Sequence, residues 1–281
     1  MKIVTDIQQM QNYADRCREE KKVIGFVPTM GYLHPGHLSL IKIIRPQCDI
    51  LVVSIFVNPT QFGPGEDLNT YPRDLKRDSD LCQKEGVDVI FHPSAQEMYP
   101  KPFYTFITVE KLSEIMCGRS RPGHFRGVTT VVAKLFNIVK PHLAIFGEKD
   151  FQQLQVLKQM VNNLNYDIKI LNAPIVREDD GLALSSRNKY LKSHERMDAL
   201  VLYRSLQLAK DRFTQGERNA GDIKREMEKL IKGIPSAKID YIEIVNLETF
   251  EPVDFLSNDS LVALAVYIGQ TRLIDNIVLK K

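Results

Sequence analysis

Apolar residues fall along this chain in two alternating rhythms. Runs at positions 23–27, 50–57, 87–92 and 143–146 are rich in branched residues and apolar at nearly every position. That is the pattern of strands buried on both faces. Between them, at 38–44, 73–84, 128–139 and 151–164, apolar residues recur every three or four positions, which predicts amphipathic helices. This alternation predicts an α/β fold, a Rossmann-like, mostly parallel sheet with helices on both faces. Near residue 179 the rhythm changes. Helical patterns over 193–213 and 221–231 are followed by strand-like runs at 238–245, 261–268 and 272–279, the order of a smaller α+β domain. The sequence thus divides into residues 1–178 and residues 179–281, with no internal repeat or low-complexity segment.

In open parallel sheets, ligands bind beyond the carboxyl ends of the strands. Three polar, Gly- and Pro-rich segments follow strand ends here, at 28–37, 58–72 and 147–150. The first, Pro28-Thr29-Met30-Gly31-Tyr32-Leu33-His34-Pro35-Gly36-His37, reads as strand, turn and helix start. Such a turn aims backbone N–H groups and a positive helix end at phosphate, and His34 and His37 add side-chain donors. Taken alone, the histidine pair fits a partial metal site or a packed helix start as well.

Composition narrows the classes. The chain has 281 residues, 43% hydrophobic and 26% charged, which excludes disordered and fibrous classes. The net charge of +3 comes from 38 basic and 35 acidic residues without a block of either sign, so neither a nucleic-acid nor a membrane partner is expected. Cys17, Cys48, Cys82 and Cys117 form no Cys-x-x-Cys pair, which argues against zinc ribbons and dithiol redox chemistry. No secretory signal or bilayer-length apolar stretch occurs, so a cytoplasmic protein is expected. The absence of a Gly-Lys dipeptide excludes a Walker-type loop, and Gly118-Arg119-Ser120-Arg121-Pro122 fails the hydrolase elbow.

Further polar candidates lie near the same sheet edge. Gly147-Glu148-Lys149-Asp150 follows a strand and opens a helix. Lys149 there suits a phosphate, although helix capping beside a solvated lysine accounts for the segment too. Leu184-Ser185-Ser186-Arg187 gathers two hydroxyls and a guanidinium, a phosphate-binding set or a polar interdomain loop. Asn58, Gln61 and Gln153 offer amides.

These motifs together with Phe56-Val57-Asn58-Pro59-x-Gln61-Phe62, Tyr71-Pro72-Arg73, Gly123-His124-Phe125-Arg126-Gly127-Val128 and Phe146-Gly147-Glu148-Lys149-Asp150-x-Gln152-Gln153 resemble the pantothenate synthetase family of the nucleotidyltransferase superfamily. The resemblance is dense from about residue 23 to 190 and looser beyond. It implies an ATP-dependent ligase of pantothenate biosynthesis that joins (R)-pantoate to β-alanine through pantoyl adenylate, releasing AMP and pyrophosphate. It also implies a homodimer and magnesium carried on the ATP phosphates, with no dedicated metal site in the protein.

Residue roles follow from the resemblance. Met30, Gly31, Tyr32, Leu33, His34, Pro35, Gly36 and His37 form the first ATP-contacting segment, with His37 donating to the departing pyrophosphate. Gly147, Glu148, Lys149 and Asp150 form the second, with Lys149 on phosphate and Asp150 near the ribose. Val176 offers its backbone to adenine. Leu184, Ser185, Ser186 and Arg187 close on the phosphates. His34, His37, Lys149 and Arg187 are the expected catalytic residues. Gln61 and Gln153 hold pantoate, and Gln61 also borders β-alanine. The long segment 58–72, with Gly63, Pro64 and Gly65 at its middle, is expected to act over residues 61–69 as a lid on the adenylate. Other readings are a nucleotidyltransferase that leaves AMP on its acceptor and a non-catalytic nucleotide-binding protein; product identity separates them.

Overall fold

The protein is described from a computed structural model over residues 1–257 and 259–280. It divides into two compact units, Met1–Pro174 and Ile175–Lys281. In chain order, the first contains β1 (Lys2–Val4), α1 (Ile7–Glu19), β2 (Ile24–Thr29), α2 (Pro35–Ile44), β3 (Ile50–Ile55), α3 (Leu75–Lys84), β4 (Val89–Phe91), two single-turn helices α4 (Ala95–Met98) and α5 (Cys117–Ser120), α6 (His124–Val139), β5 (Leu143–Gly147), α7 (Phe151–Asn163) and β6 (Lys169–Ala173). The six strands form one parallel sheet in the order β1-β4-β3-β2-β5-β6.

Strand periodicity explains why a continuous apolar run is needed. Successive strand residues point to opposite faces, and the sheet buries both. Phe26, Val52, Val89, Phe91, Ala144 and Phe146 join one core with residues of α1, α6 and α7. Val27, Leu51, Val53, Ile55, Ile90 and Ile145 join the other with residues of α2 and α3. The expected Rossmann-like sheet with helices on both faces is therefore observed.

The second unit contains α8 (Ser193–Asp198), α9 (Leu200–Thr214), α10 (Ala220–Lys232) and an antiparallel sheet β7 (Ala237–Asn246), β8 (Ser260–Ile268) and β9 (Thr271–Leu279). Leu206, Phe213, Ile223, Met227 and Ile231 of the helices share a core with Val262, Leu264 and Val266 of β8, which is the expected α+β tail.

The differences from the sequence reading are local. Helix 193–213 is two helices meeting at Ala199. The helix expected over 73–84 starts at Leu75, where the Asp74 side chain accepts from the Arg77 N–H and caps it. The helix expected from 128 starts four residues earlier, at His124. α1, β1 and β6 carry weak patterns: α1 buries only Met10, Ala14 and Cys17, β1 has three residues, and β6, at the sheet edge, fully buries only Ala173.

Candidate active site

The strand order creates the site. β2 is followed by β3 on one side, while β5 lies on its other side, so the loops after β2 and β5 leave from a topological switch point. β2 and β5 pair only at Gly25↔Leu143 and Phe26↔Ala144. Beyond that ladder both strands run on, β2 against β3 and β5 against β6. Pro28, which has no N–H to donate, sits in the part of β2 facing this gap. A Cβ built on Gly147 at the end of β5 would meet no described atom within 4 Å, so there is open space above the strand end.

The turn after β2 is held from behind. Gly31 and Tyr32 take positive φ, +85° and +51°; the second is unusual for a non-glycine residue. A buried carboxylate fixes them: Asp78 of α3 accepts from the Tyr32 N–H at 2.6 Å and the Leu33 N–H at 2.8 Å. Burial lifts the Asp78 carboxyl above its usual range, against the pull of those two N–H groups. The Thr29 hydroxyl donates to the Ser54 carbonyl at 2.7 Å and accepts from the Gly31 N–H at 3.1 Å.

This accounting corrects one expectation. The turn does not present a row of N–H groups to phosphate, because those of Gly31, Tyr32 and Leu33 are spent on Thr29 and Asp78. The His34 N–H donates to His37 Nδ1 at 3.3 Å and the His37 N–H to the His34 carbonyl at 2.8 Å. What remains is the Gly36 N–H at the start of α2, for which no acceptor occurs among the described residues, and the imidazoles.

The imidazoles are the chemistry of the turn. Their ring centroids lie 4.0 Å apart. Because His37 Nδ1 accepts a backbone N–H, the proton of a neutral ring sits on Nε2, which is thereby a donor. Nδ1 of His34 is buried and has no partner among the described residues. Burial, then the Lys149 charge, lowers the His34 pKa to about 4. Burial, then His34 and Lys149, holds His37 well below its ordinary value. Both rings are therefore neutral near pH 7, beside a cation.

That cation, Lys149, lies in a 3-10 turn over Glu148–Asp150 after β5. Its Nζ is 3.7 Å from Asp150 Oδ2. Asp150 occupies the N-cap position of α7, yet its side chain makes no capping bond, so the capping alternative for this segment is not realised. The Glu148 carboxylate is engaged by the Asn172 amide of β6.

Gln61 ends a 3-10 turn over Pro59–Gln61. Its Nε2 donates to Met30 Sδ at 3.1 Å and its Oε1 accepts from Asn58 Nδ2 at 3.1 Å, which ties it to the first segment. Asn58 proves to be scaffold: it is 1% exposed, donates to the Gly127 carbonyl, and accepts from Thr60 and from the Tyr99 hydroxyl. Gly127 allows α6 to approach, since a Cβ there would lie 2.3 Å from the Thr60 carbonyl oxygen. Gln153 is half-buried on the first turn of α7. Its neighbour Gln152 is consumed internally, donating to the Leu112 and Ile115 carbonyls and accepting from the Cys117 N–H.

In the second unit, the Leu184 N–H donates to the Val176 carbonyl at 3.0 Å, which sets Val176 beside the serine-arginine segment. Arg177 anchors this hairpin by a two-pronged ion pair with Asp275, at 2.6 and 2.9 Å. Ser185 Oγ accepts from the Arg187 N–H at 3.2 Å and starts the 3-10 turn Ser186–Tyr190. Asp78, Gly127 and Arg177 were not singled out as functional from the sequence. The signal for Asp78 was an acid at the i−4 position from the buried Cys82, on the stripe α3 buries.

Known proteins resemble the chain along nearly its whole length. A profile of the pantoate-beta-alanine ligase family matches residues 2–278. The chain is 57% identical over 279 residues to a pantothenate synthetase of Thermotoga petrophila, covering 99% of this chain and 100% of that one. It is 58% identical over 280 residues to that of Caldicellulosiruptor saccharolyticus, covering both chains fully. The crystal structure of pantothenate synthetase from Thermus thermophilus superposes with a TM-score of 0.95 at 44% identity over 100% of both chains. A pantoate-beta-alanine ligase from Francisella tularensis, complexed with beta-gamma ATP and beta-alanine, gives 0.83 at 39% identity over 99% of this chain and 97% of that one. Matched along nearly its whole length in sequence and in fold, the chain belongs to the pantoate-beta-alanine ligase family.

Proposed function

We propose that this ligase condenses (R)-pantoate with β-alanine at the expense of ATP, through pantoyl adenylate. One observation carries the site assignment: a buried ring nitrogen of His34 has no partner among the described residues, and the ring feels the Lys149 charge at the switch point of the sheet. A buried polar atom of this kind calls for a ligand. In the first step a pantoate carboxylate oxygen bonds to the α-phosphorus of ATP as the bond to pyrophosphate breaks. In the second, the neutral amine of β-alanine bonds to the acyl carbon, the bond to AMP breaks, and the nitrogen gives up a proton.

The protein's work in the first step is alignment and charge balance. Lys149 meets the phosphates as a point charge, and His37 donates through Nε2 as pyrophosphate departs. Triphosphate beside the two neutral imidazoles raises their proton affinity, so hydrogen bonding strengthens as negative charge builds. His34, the Gly36 N–H and the rest of residues 30–37 contact the nucleotide, as do residues 147–150, with Asp150 near the ribose. Val176 takes adenine, and Leu184, Ser185, Ser186 and Arg187 act on the phosphates from the tail. Gln61, whose Nε2 rests on a thioether, a weak acceptor, gains by exchanging it for a pantoate oxygen, and Gln153 offers a second amide. Among the described residues no three His, Cys, Asp or Glu gather as a cation site; magnesium fits as a passenger of the triphosphate, where it offsets phosphate charge. Residues 61–69 shield the adenylate.

No helix among the described residues is long and apolar enough to cross a membrane, and all four cysteines are free thiols. The free thiols fit a reducing compartment, and we propose a cytoplasmic homodimer. The test is exchange of labelled pyrophosphate into ATP with pantoate present and β-alanine absent. Pantoate-dependent exchange, followed by pantothenate and AMP in equal amounts once β-alanine is added, is expected. Folded protein that forms pantothenate without any such exchange would rule out the adenylate route.

A further inference from the structure

The arm that carries Gln61 is braced by three side chains, His124, Arg121 and Glu66, none of which is given a substrate contact above. His124, the first residue of α6, is 9% exposed. Its Nδ1 lies 2.9 Å from the Gln61 carbonyl oxygen. A carbonyl can only accept, so Nδ1 carries the proton, and Nε2 of the neutral ring is an acceptor. Arg121 meets it: Nη1 is 3.1 Å from His124 Nε2. The same guanidinium grips Glu66 with two prongs, Nε to Oε1 at 2.7 Å and Nη2 to Oε2 at 2.6 Å, and extends Nη2 to 3.5 Å from the Gln61 carbonyl. Bidentate pairs of this kind fix geometry as well as supply energy.

The bonds therefore run Glu66 to Arg121 to His124 to the Gln61 backbone. The neutral ring that both His124 bonds require is maintained by burial first and the Arg121 charge second, which lower its pKa to about 4. Glu66 belongs to the loop that follows Gln61, and its N–H closes a turn onto the Gly63 carbonyl at 3.2 Å. Arg73 holds the far side of that loop through the Leu68 and Tyr71 carbonyls, at 2.9 and 3.0 Å. The loop is thus laid down on α6 by the same arginine that orients His124.

We infer that His124 is a positioning residue for Gln61, and that Arg121 and Glu66 make this positioning depend on the loop being folded down. The order of events is then built in: residues 62–70 must be seated before Gln61 is set to receive the acid substrate. This rests on the proposed role of Gln61 in holding pantoate, and the test separates the two.

Steady-state kinetics with pantoate, β-alanine and ATP varied in turn would be measured for His124→Ala, His124→Asn and Glu66→Gln, each alone and combined with Gln61→Ala. Asparagine places an amide N–H near the position of Nδ1 and keeps the bond to the Gln61 carbonyl. Loss of a single buried hydrogen bond predicts about a tenfold rise in the pantoate KM for His124→Ala, with the ATP KM moving less than about twofold. His124→Asn should recover most of that rise. Glu66→Gln should raise the same constant by about threefold, because half of the fork is lost. In the Gln61→Ala background none of these substitutions should raise it further, since coupled residues are non-additive. If Gln61→Ala raises the pantoate KM and His124→Ala does not, or if the two effects add in full, the positioning role is refuted. If Gln61→Ala leaves the pantoate KM unchanged, the parent reading of Gln61 falls and this inference with it. Should His124→Ala fail to fold, His124→Asn and Glu66→Gln carry the same comparison.

Discussion

Asp78 offers the sharpest test of how the turn after β2 is held, because it touches only backbone there and lies on a helix, 41 positions after His37. It satisfies the Tyr32 and Leu33 N–H groups while Tyr32 is kept at positive φ, a conformation costing about 1–2 kcal/mol for an L-residue. Replacement by alanine leaves two inward-facing N–H groups without an acceptor, at about 1–3 kcal/mol each, or about 2–6 kcal/mol together. Asparagine retains one acceptor oxygen but turns an NH2 group toward the second donor. It also removes a charge that burial disfavours, so its cost falls to about 1–3 kcal/mol.

The functional consequence is larger than the stability loss, since a displacement of about 1 Å in a reacting group can lower a rate about a hundredfold. Asp78→Asn should lower kcat by about 10–100-fold and raise the ATP KM, with the pantoate KM changed less. Denaturant unfolding would give the stability change, and AMP release at saturating substrate would give kcat. Asp80→Asn serves as the control: Asp80 is exposed on the same helix and paired with Lys76 at 3.1 Å, so its effect should stay within about 0.5 kcal/mol. Folded Asp78→Asn with kcat and ATP KM within about twofold of the parent would show that the turn holds its shape without the carboxylate.

Acid should destabilise the protein through its buried histidines. His34 and His124 have folded-state pKa values lowered to about 4, by burial first and then by Lys149 and Arg121 respectively, and His37 is lowered in the same direction, by burial first. A lowered base favours its neutral form in the fold, so the stability it confers is full above about pH 6.5 and is lost as pH falls toward 4; urea midpoints should drop across that window, and His124→Asn should flatten the drop. Gly127→Ala should cost about 1–3 kcal/mol and raise the pantoate KM, because its Cβ would meet the Thr60 carbonyl oxygen at 2.3 Å and Gln61 Cα at 2.6 Å; calorimetry and pantoate titration check the two effects. Lys149→Gln should lower kcat by about 10²–10³; a rate within tenfold of the parent would remove Lys149 from the phosphates.

What the sequence made legible was set by repetition. β2, β3, β4 and β5 are buried on both faces, so nearly every position is apolar and the strands stand out; β6 at the edge buries one residue fully and does not. The histidine turn and Lys149 were legible because a strand end, a glycine and a helix start leave a local signature. Asp78, Glu66 and Arg121 leave none, and His124, although it stands in a recognised motif, shows no role there, because each acts across tens of residues through the tertiary fold: Asp78 lies 46 positions from Tyr32, and Arg121 lies 55 from Glu66. Their chemistry also looks ordinary in sequence, where an acid on a helix or an arginine beside a loop is commonly solvated. The pair Gln152 and Gln153 shows the same limit at the shortest range. A step of about 100° around the helix puts one amide inside, bonded to two carbonyls and an N–H, and leaves the next half-buried at the start of α7. Local pattern therefore marked the residues proposed to meet a ligand, whereas those that hold them in place became visible only when the fold joined distant segments. A variant set drawn from the recognisable motifs alone would perturb contact with substrates and leave the geometry of the turn and of Gln61 untested.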